Sequence, residues 1–247
     1  MSVSIDAKQE QINSVDHLRA CYASQEADAI LRAMIETEFA GKICVVSSFG
    51  SESAVLLHKV AQIDPTVPII FLNTGKLFGE TLRFRDRLQT QLGLTDIRTI
   101  GPHPDDLKQL DTAGDLWSRD ADKCCHIRKV LPQQRALKNF DAVITGRKRF
   151  QTSAREKMHM IELEDAVTGR VRINPLADFD LASLEAYMDA HKLPRHPLVK
   201  DGYLSIGCMP CTSKVKEGED YRSGRWAQSE KEECGIHASE FVDGDGI

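Results

Sequence analysis

The chain has 247 residues, of which 41% are hydrophobic and 28% charged, and its formal net charge is −5. That length suits one large α/β domain or two small ones, and the acidic balance argues against a nucleic-acid binder, which usually carries a basic stripe or patch. No apolar run reaches the length of a membrane span and the opening residues, MSVSIDAKQEQ, form no charged-then-apolar leader, so a cytoplasmic protein off the membrane is expected.

In chain order, apolar residues at three- and four-residue steps (Val15, Leu18 and Tyr22, then Ile30, Leu31, Met34, Ile35 and Phe39) predict two helices over 14–40. Ile43-Cys44-Val45-Val46 is a short β-branched run of the kind found in buried parallel strands. The loop Ser47-Ser48-Phe49-Gly50-Ser51-Glu52-Ser53 then leads into an apolar helix. A second strand over 68–72 ends in Asn73-Thr74-Gly75-Lys76, and a helix is expected over 78–92. Ile97–Ile100 and Ala142–Thr145 read as further strands, with a helix over 124–138 between them. A hairpin is expected over 158–174, turning at Thr168-Gly169, and then a helix over 180–191 with Asp180 as its N-cap.

Strand, polar loop and helix in repetition predict an α/β fold with a doubly wound, mainly parallel sheet. The expected division is a helical segment over 1–40, a nucleotide-binding α/β domain over 41–212, and a mobile C-terminal tail over 213–247. Ligands of such sheets bind at the carboxyl ends of the strands, where the loops 47–53, 73–76 and 145–155 fall. The first is rich in hydroxyls and opens a helix, so its N–H and O–H groups suit an anion. It lacks the Gly-Lys-Ser/Thr of a Walker loop. Arg147, Lys148, Arg149 and Arg155, then Arg222 and Arg225, form small positive groups that fit a small anionic ligand.

In a reducing compartment the seven cysteines read as ligands or reactive thiols rather than as staples. Cys124-Cys125 and Cys208-Met209-Pro210-Cys211 make two tight pairs. Adjacent thiolates suit separate corners of a four-iron four-sulfur cluster better than one zinc ion, with plain core cysteines as the bland alternative. Arg128 and Lys129, one helical turn on, would balance the cluster's negative charge. Cys234 stands alone beside Glu232 and Glu233, which disfavour its thiolate. It becomes a nucleophile when it docks against a cationic site. Cys21 and Cys44 are expected to pack. No histidine spacing suggests a ligand pair. Trp117 is expected to pack, and Trp226 is a stacking candidate.

Together Ser47-Ser48-Phe49-Gly50, Asn73-Thr74-Gly75-Lys76, Cys124-Cys125-His126-Ile127-Arg128-Lys129, Thr145-Gly146-Arg147-Lys148-Arg149, Cys208-Met209-Pro210-Cys211, Arg222-Ser223-Gly224-Arg225-Trp226 and Glu233-Cys234-Gly235-Ile236-His237 resemble the assimilatory adenylyl-sulfate/phosphoadenylyl-sulfate reductase family from about residue 40 onward. The resemblance implies an adenine nucleotide α-hydrolase-like sheet and one four-iron four-sulfur cluster per subunit on Cys124, Cys125, Cys208 and Cys211, with Lys129 linking cluster and substrate. It implies Cys234 as the catalytic nucleophile, which takes the sulfonate from adenosine 5′-phosphosulfate and releases AMP. Thioredoxin then frees sulfite. Substrate contacts are expected from Ser47, Ser48, Phe49, Gly50, Ser51, Thr74, Gly75, Lys76, Gly146, Arg149, Arg155, Arg222 and Arg225. The 3′-phosphorylated nucleotide as substrate, a tRNA-thiolating pyrophosphatase on the same sheet, and homo-oligomer formation stay open. Asn73 stands where the family commonly has Asp.

Overall fold

A computed structural model describes residues 5–165, 168–226 and 235–237. Helix α1 (Ile5–Tyr22) buries Val15 and Leu18 against the sheet, and Arg19 Nε donates to the Ile161 carbonyl at 2.8 Å. After α2 (Ala27–Ala33) and a wide π turn (Met34–Glu38), the chain enters β1 (Ile43–Ser47), where Ile43, Cys44 and Val45 are all buried. Helix α3 (Ser53–Ala61), β2 (Ile69–Leu72), α4 (Gly79–Leu92) and β3 (Ile97–Ile100) complete the first half. Gly93, with φ of 68°, closes α4 in the left-handed conformation that glycine adopts without a Cβ clash.

Next come three short helices, α5 (Pro104–Leu110), α6 (Leu116–Arg119) and α7 (Ala121–Cys125). The helix expected over 124–138 instead starts at Ala121, widens to a π turn over His126–Val130, and finishes as α8 (Leu131–Leu137). Pro132 gives the reason: without an N–H it cannot make the regular bond back one turn, and the wide turn sits just ahead of it. Strands β4 (Ala142–Thr145), β5 (Ile161–Asp165) and β6 (Arg170–Ile173) follow, then α9 (Leu181–Ala190), whose Asp180 accepts from the Ser183 N–H at 2.7 Å as expected.

The sheet order is β3-β2-β1-β4-β6-β5, parallel except for the β5–β6 hairpin. β1 pairs on one side with β2, which follows it in the chain, and on the other with the distant β4, so the winding direction reverses between β1 and β4. That crevice is where doubly wound sheets bind ligands. One face of the sheet carries the large apolar core, with Leu31, Val45, Leu57, Phe71 and Ile144 all fully buried, and the alternate strand residues Cys44, Ile70, Leu72 and Val143 pack with Leu137 and Phe140 in a second cluster on the other face. Cys44 is buried as expected, whereas Cys21 is exposed, its Sγ 3.6 Å from His17 Nε2. Among the described residues no helix is long and apolar enough to cross a membrane.

Candidate active site

The loop after β1 is held by a strained residue. Phe49 has φ of 50°, and a left-handed non-glycine costs roughly 1–2 kcal/mol. Its ring is fully buried, edge-on to Phe71 at 5.2 Å, and burial of such a ring, about 1.5–3 kcal/mol, offsets the cost. Ser47 Oγ accepts the Phe49 N–H at 3.2 Å. The bend turns the loop across the start of α3, where a helix N-terminus favours negative charge.

This loop floors a solvent-open cleft at the β1–β4 crevice. Ser47, Ser48, Gly50, Ser51, Thr74, Gly146, Arg155, Arg222 and Arg225, all expected at a substrate, line it, as does Lys129. Phe49, Gly75, Lys76 and Arg149 are not among its lining residues. Phe49 is the loop's apolar anchor. The N–H of Gly75 is taken by Asn73 Oδ1 at 3.1 Å, a turn-stabilising role for Asn73 that an aspartate would fill equally. Arg149 turns away, donating to the Met158 carbonyl at 2.7 Å and pairing with Asp178.

Sequence reasoning missed the polar network beneath the cleft. Lys148, 3% exposed, ion-pairs with Glu52, and Gln151 Nε2 also reaches Glu52 at 3.4 Å. Burial pushes the Lys148 ammonium's pKa down while Glu52 pulls it back up. Gln151 in turn accepts from Arg155, so one carboxylate organises two cations of the wall. Tyr221 OH lies 2.9 Å from Ser51 Oγ, which donates to the Leu204 carbonyl at 2.7 Å. Arg147 pairs with Glu162 and donates to Asn174 at 3.3 Å; burial, with Arg172 nearby, brings it down to about 10. Lys148 sits inside the Thr145–Arg149 motif and Tyr221 next to Arg222, so both had a signal in their neighbours.

Residues 213–226, assigned from the sequence to a tail, fold back onto the Cys208–Cys211 turn. Thr212 bridges Arg225, the Ser213 N–H meets the Gly224 carbonyl at 2.7 Å, and the Trp226 N–H meets the Cys211 carbonyl at 3.1 Å. Trp226, the stacking candidate, is 5% exposed and lines the cleft, with Arg225 4.4 Å and Arg222 6.0 Å from its ring. Cys234 lies outside the described residues. The three residues directly after it, Gly235–His237, form one 3₁₀ turn, and Ile236 lines the cleft while packing beside Cys125, Cys211 and Trp226. Gln133 Nε2 donates to the Ile236 carbonyl at 3.5 Å.

Behind the cleft lies a second, smaller cavity lined by Cys124, Cys125, Cys208 and Cys211, with Trp117, Ala121 and Pro210 as apolar walls and Lys76, Arg128 and Lys129 as cations. Cys208 and Lys129 line both cavities. α7 delivers its last two residues to it, and a single 3₁₀ turn, with the Cys211 N–H on the Cys208 carbonyl at 3.0 Å, delivers the other pair. Burial pushes the Cys124 thiol up to about 11, Arg128 pulls the other way, and Cys208 and Cys211 add to the rise. Such thiols give up their protons to a metal rather than to water. Among the described residues no three ligating side chains are set to hold a single metal ion. The four thiols instead share the walls of one cavity, and a donor set of four sulfurs with cations close by fits an iron–sulfur cluster. Arg128 is fixed by Asp111 and by the Thr74 carbonyl at 2.8 Å.

The reversed winding at β1–β4, with an anion-suited loop on one side and arginines on the other, is that of a doubly wound α/β fold whose ligand crevice lies at the reversal. Residues 42–214 match the phosphoadenosine phosphosulfate reductase domain. The chain is 49% identical over 221 residues to the adenosine 5′-phosphosulfate reductase of Chelativorans sp. (strain BNC1), covering 89% of each chain. It is 49% identical over 222 residues to the enzyme of that name from Mesorhizobium japonicum, covering 90% of this chain and 86% of the relative. The crystal structure of phosphoadenylyl-sulfate reductase from Candida auris in its phosphate complex superposes with a TM-score of 0.68 at 26% identity, over 87% of this chain and 99% of that one. This chain belongs to the phosphoadenosine phosphosulfate reductase domain family.

Proposed function

We propose that the protein is a thioredoxin-dependent adenylyl-sulfate reductase, which turns adenosine 5′-phosphosulfate into sulfite and AMP. The observation that carries this reading is the seat of Ile236: the turn directly after Cys234 is docked at the cleft, between the thiol-lined cavity and the arginine wall. The nucleotide's phosphate lies against the N–H and hydroxyl groups of the Ser47–Ser53 loop. Arg155, Arg222, Arg225 and Lys129 face the sulfonate. The Cys234 thiolate attacks the sulfate sulfur, an S–S bond forms as the S–O bond to the phosphate breaks, and AMP leaves with the bonding pair. Two anions meet in that step, so the cations around the cleft lower its barrier by neutralising charge as it builds.

A thiolate of thioredoxin next attacks Sγ of Cys234. Sulfite departs with the electron pair, and the second thioredoxin thiol resolves the mixed disulfide, returning Cys234 as a thiolate. Cys124, Cys125, Cys208 and Cys211 would hold a four-iron four-sulfur cluster, which supplies a fixed charged wall beside Lys129. Among the described residues Glu52 is the one carboxylate that lines the cleft, and it is paired with Lys148.

The test is sulfite release by anaerobically purified protein from adenosine 5′-phosphosulfate and from its 3′-phosphorylated form, in parallel, with and without thioredoxin. The expected result is thioredoxin-dependent sulfite from the first nucleotide, with ³⁵S trapped on Cys234 when thioredoxin is withheld. Label on any other residue, or sulfite from the 3′-phosphorylated nucleotide alone, overturns it.

A further inference from the structure

Lys76 belongs to a loop that is expected at the nucleotide, yet its side chain lines the thiol cavity and not the cleft. Two backbone contacts fasten its segment to the second cysteine pair: the Lys76 carbonyl accepts from the Met209 N–H at 2.8 Å, and Leu77 bridges Cys208. The half-buried side chain runs to Gly114, where an added Cβ would stand 3.5 Å from Nζ.

Among the described residues the Lys76 ammonium has no hydrogen bond and no ion-pair partner. Its field reaches the Asp111 carboxylate, which is already held by Arg128 and by the Leu116 N–H at 2.8 Å. Lys76 differs in this from the cavity's other cations. Arg128 is committed to Asp111 and Thr74, and Lys129 faces both cavities. The uncommitted charge of Lys76 falls on whatever anion sits among the four sulfurs. Four thiolates around an iron–sulfur core leave net negative charge in a partly enclosed space, where screening is weak and a nearby cation has most effect.

We propose that Lys76 is the counter-cation of the four-thiolate metal group, stabilising that group without touching the nucleotide; the proposal rests on the iron–sulfur reading of the cavity. A neutral side chain at this position weakens retention of the group and leaves the nucleotide site unchanged.

The experiment compares full-length wild type, Lys76→Met, Lys76→Gln and Lys76→Arg, all purified anaerobically. Iron and sulfide content, the rate at which visible absorbance bleaches under an iron chelator, and the equilibrium affinity for AMP are measured on each. Both neutral variants are expected to bleach roughly fivefold faster than wild type, as for loss of one charge interaction at intermediate dielectric. The arginine variant stays within about twofold of wild type because it keeps the charge, and AMP affinity holds in all four. Neutral variants that bleach at the wild-type rate overturn the proposal while leaving the iron–sulfur reading intact, as does weaker AMP binding with unchanged bleaching. A wild type with zinc, or with no iron and sulfide, overturns that reading and the proposal together.

Discussion

The hydroxyl of Thr74 lies 3.2 Å from Sγ of Cys208, at the wall that the cleft and the thiol cavity share. Thr74 is 1% exposed, and its Oγ1 also accepts the Lys76 N–H at 3.2 Å. Thr74→Val keeps the shape and removes both contacts, stranding a backbone donor. We expect a loss of about 1–2 kcal/mol, seen as a fall in Tm of roughly 2–4 °C per kcal/mol for a chain of this size. Thr74→Ser should melt with wild type. A valine variant that does so too would show the hydroxyl to be idle.

The division of labour among the cysteines is tested by colour and turnover together. Cys234→Ser should abolish sulfite release and keep the visible absorbance. Cys125→Ala and Cys211→Ser should lose both. Colour surviving in the latter two would remove these thiols from the metal site.

Two glycines predict opposite failures. A Cβ at Gly207 would overlap the Arg225 guanidinium, the mobile end of a long side chain. Gly207→Ala should therefore displace that cation, raising KM several-fold with Tm unchanged. A Cβ at Gly224 would strike the Ser213 backbone carbonyl, which cannot swing aside. Gly224→Ala should cost about 1–3 kcal/mol of stability, the usual range for overpacking. Steady-state kinetics and thermal melts on both variants separate the two effects.

His196 sets an acid limit. Its Nδ1 accepts the Leu198 N–H at 3.2 Å, so the proton sits on Nε2, 3.1 Å from Thr81 Oγ1. Burial pushes the ring down to about 4, with Glu80 opposing. The unfolded ring takes up its proton near pH 6.5, before the folded one does. Stability should be unaffected above that pH, fall between about 6.5 and 4 by at most ~1.4 kcal/mol per pH unit, and level off below. Urea melts from pH 7.5 to 5 should show a shallower slope in His196→Gln. Equal slopes would assign the acid loss to other groups.

The buried strands were legible because short β-branched runs such as Ile43–Val46 and Ala142–Thr145 have little else they can form. Helices α5 and α6 were not, since the polar stretch after β3 has no apolar period to mark them. The loops at the strand ends were recognisable from hydroxyls and glycines. The direction of a side chain from those loops was not: Lys76 and Arg149 flank true cleft residues yet aim elsewhere, because their aim depends on partners remote in sequence such as Met209 and Asp178. The same holds for Glu52 with Lys148 and for Ser51 with Tyr221, contacts that only the closed sheet creates.

The sulfur-lined cavity draws one pair of thiols from the middle of the chain and the other from its last fifth. A ribosome releases the first pair long before the second exists. Cys124 and Cys125 therefore emerge with no companions, in a half-made protein whose floor loop still lacks Tyr221 and whose arginine wall lacks Arg222 and Arg225. On the iron–sulfur reading proposed above, loading with metal would belong to the end of synthesis, and a chain cut short before Cys208 would carry only half of the thiol set.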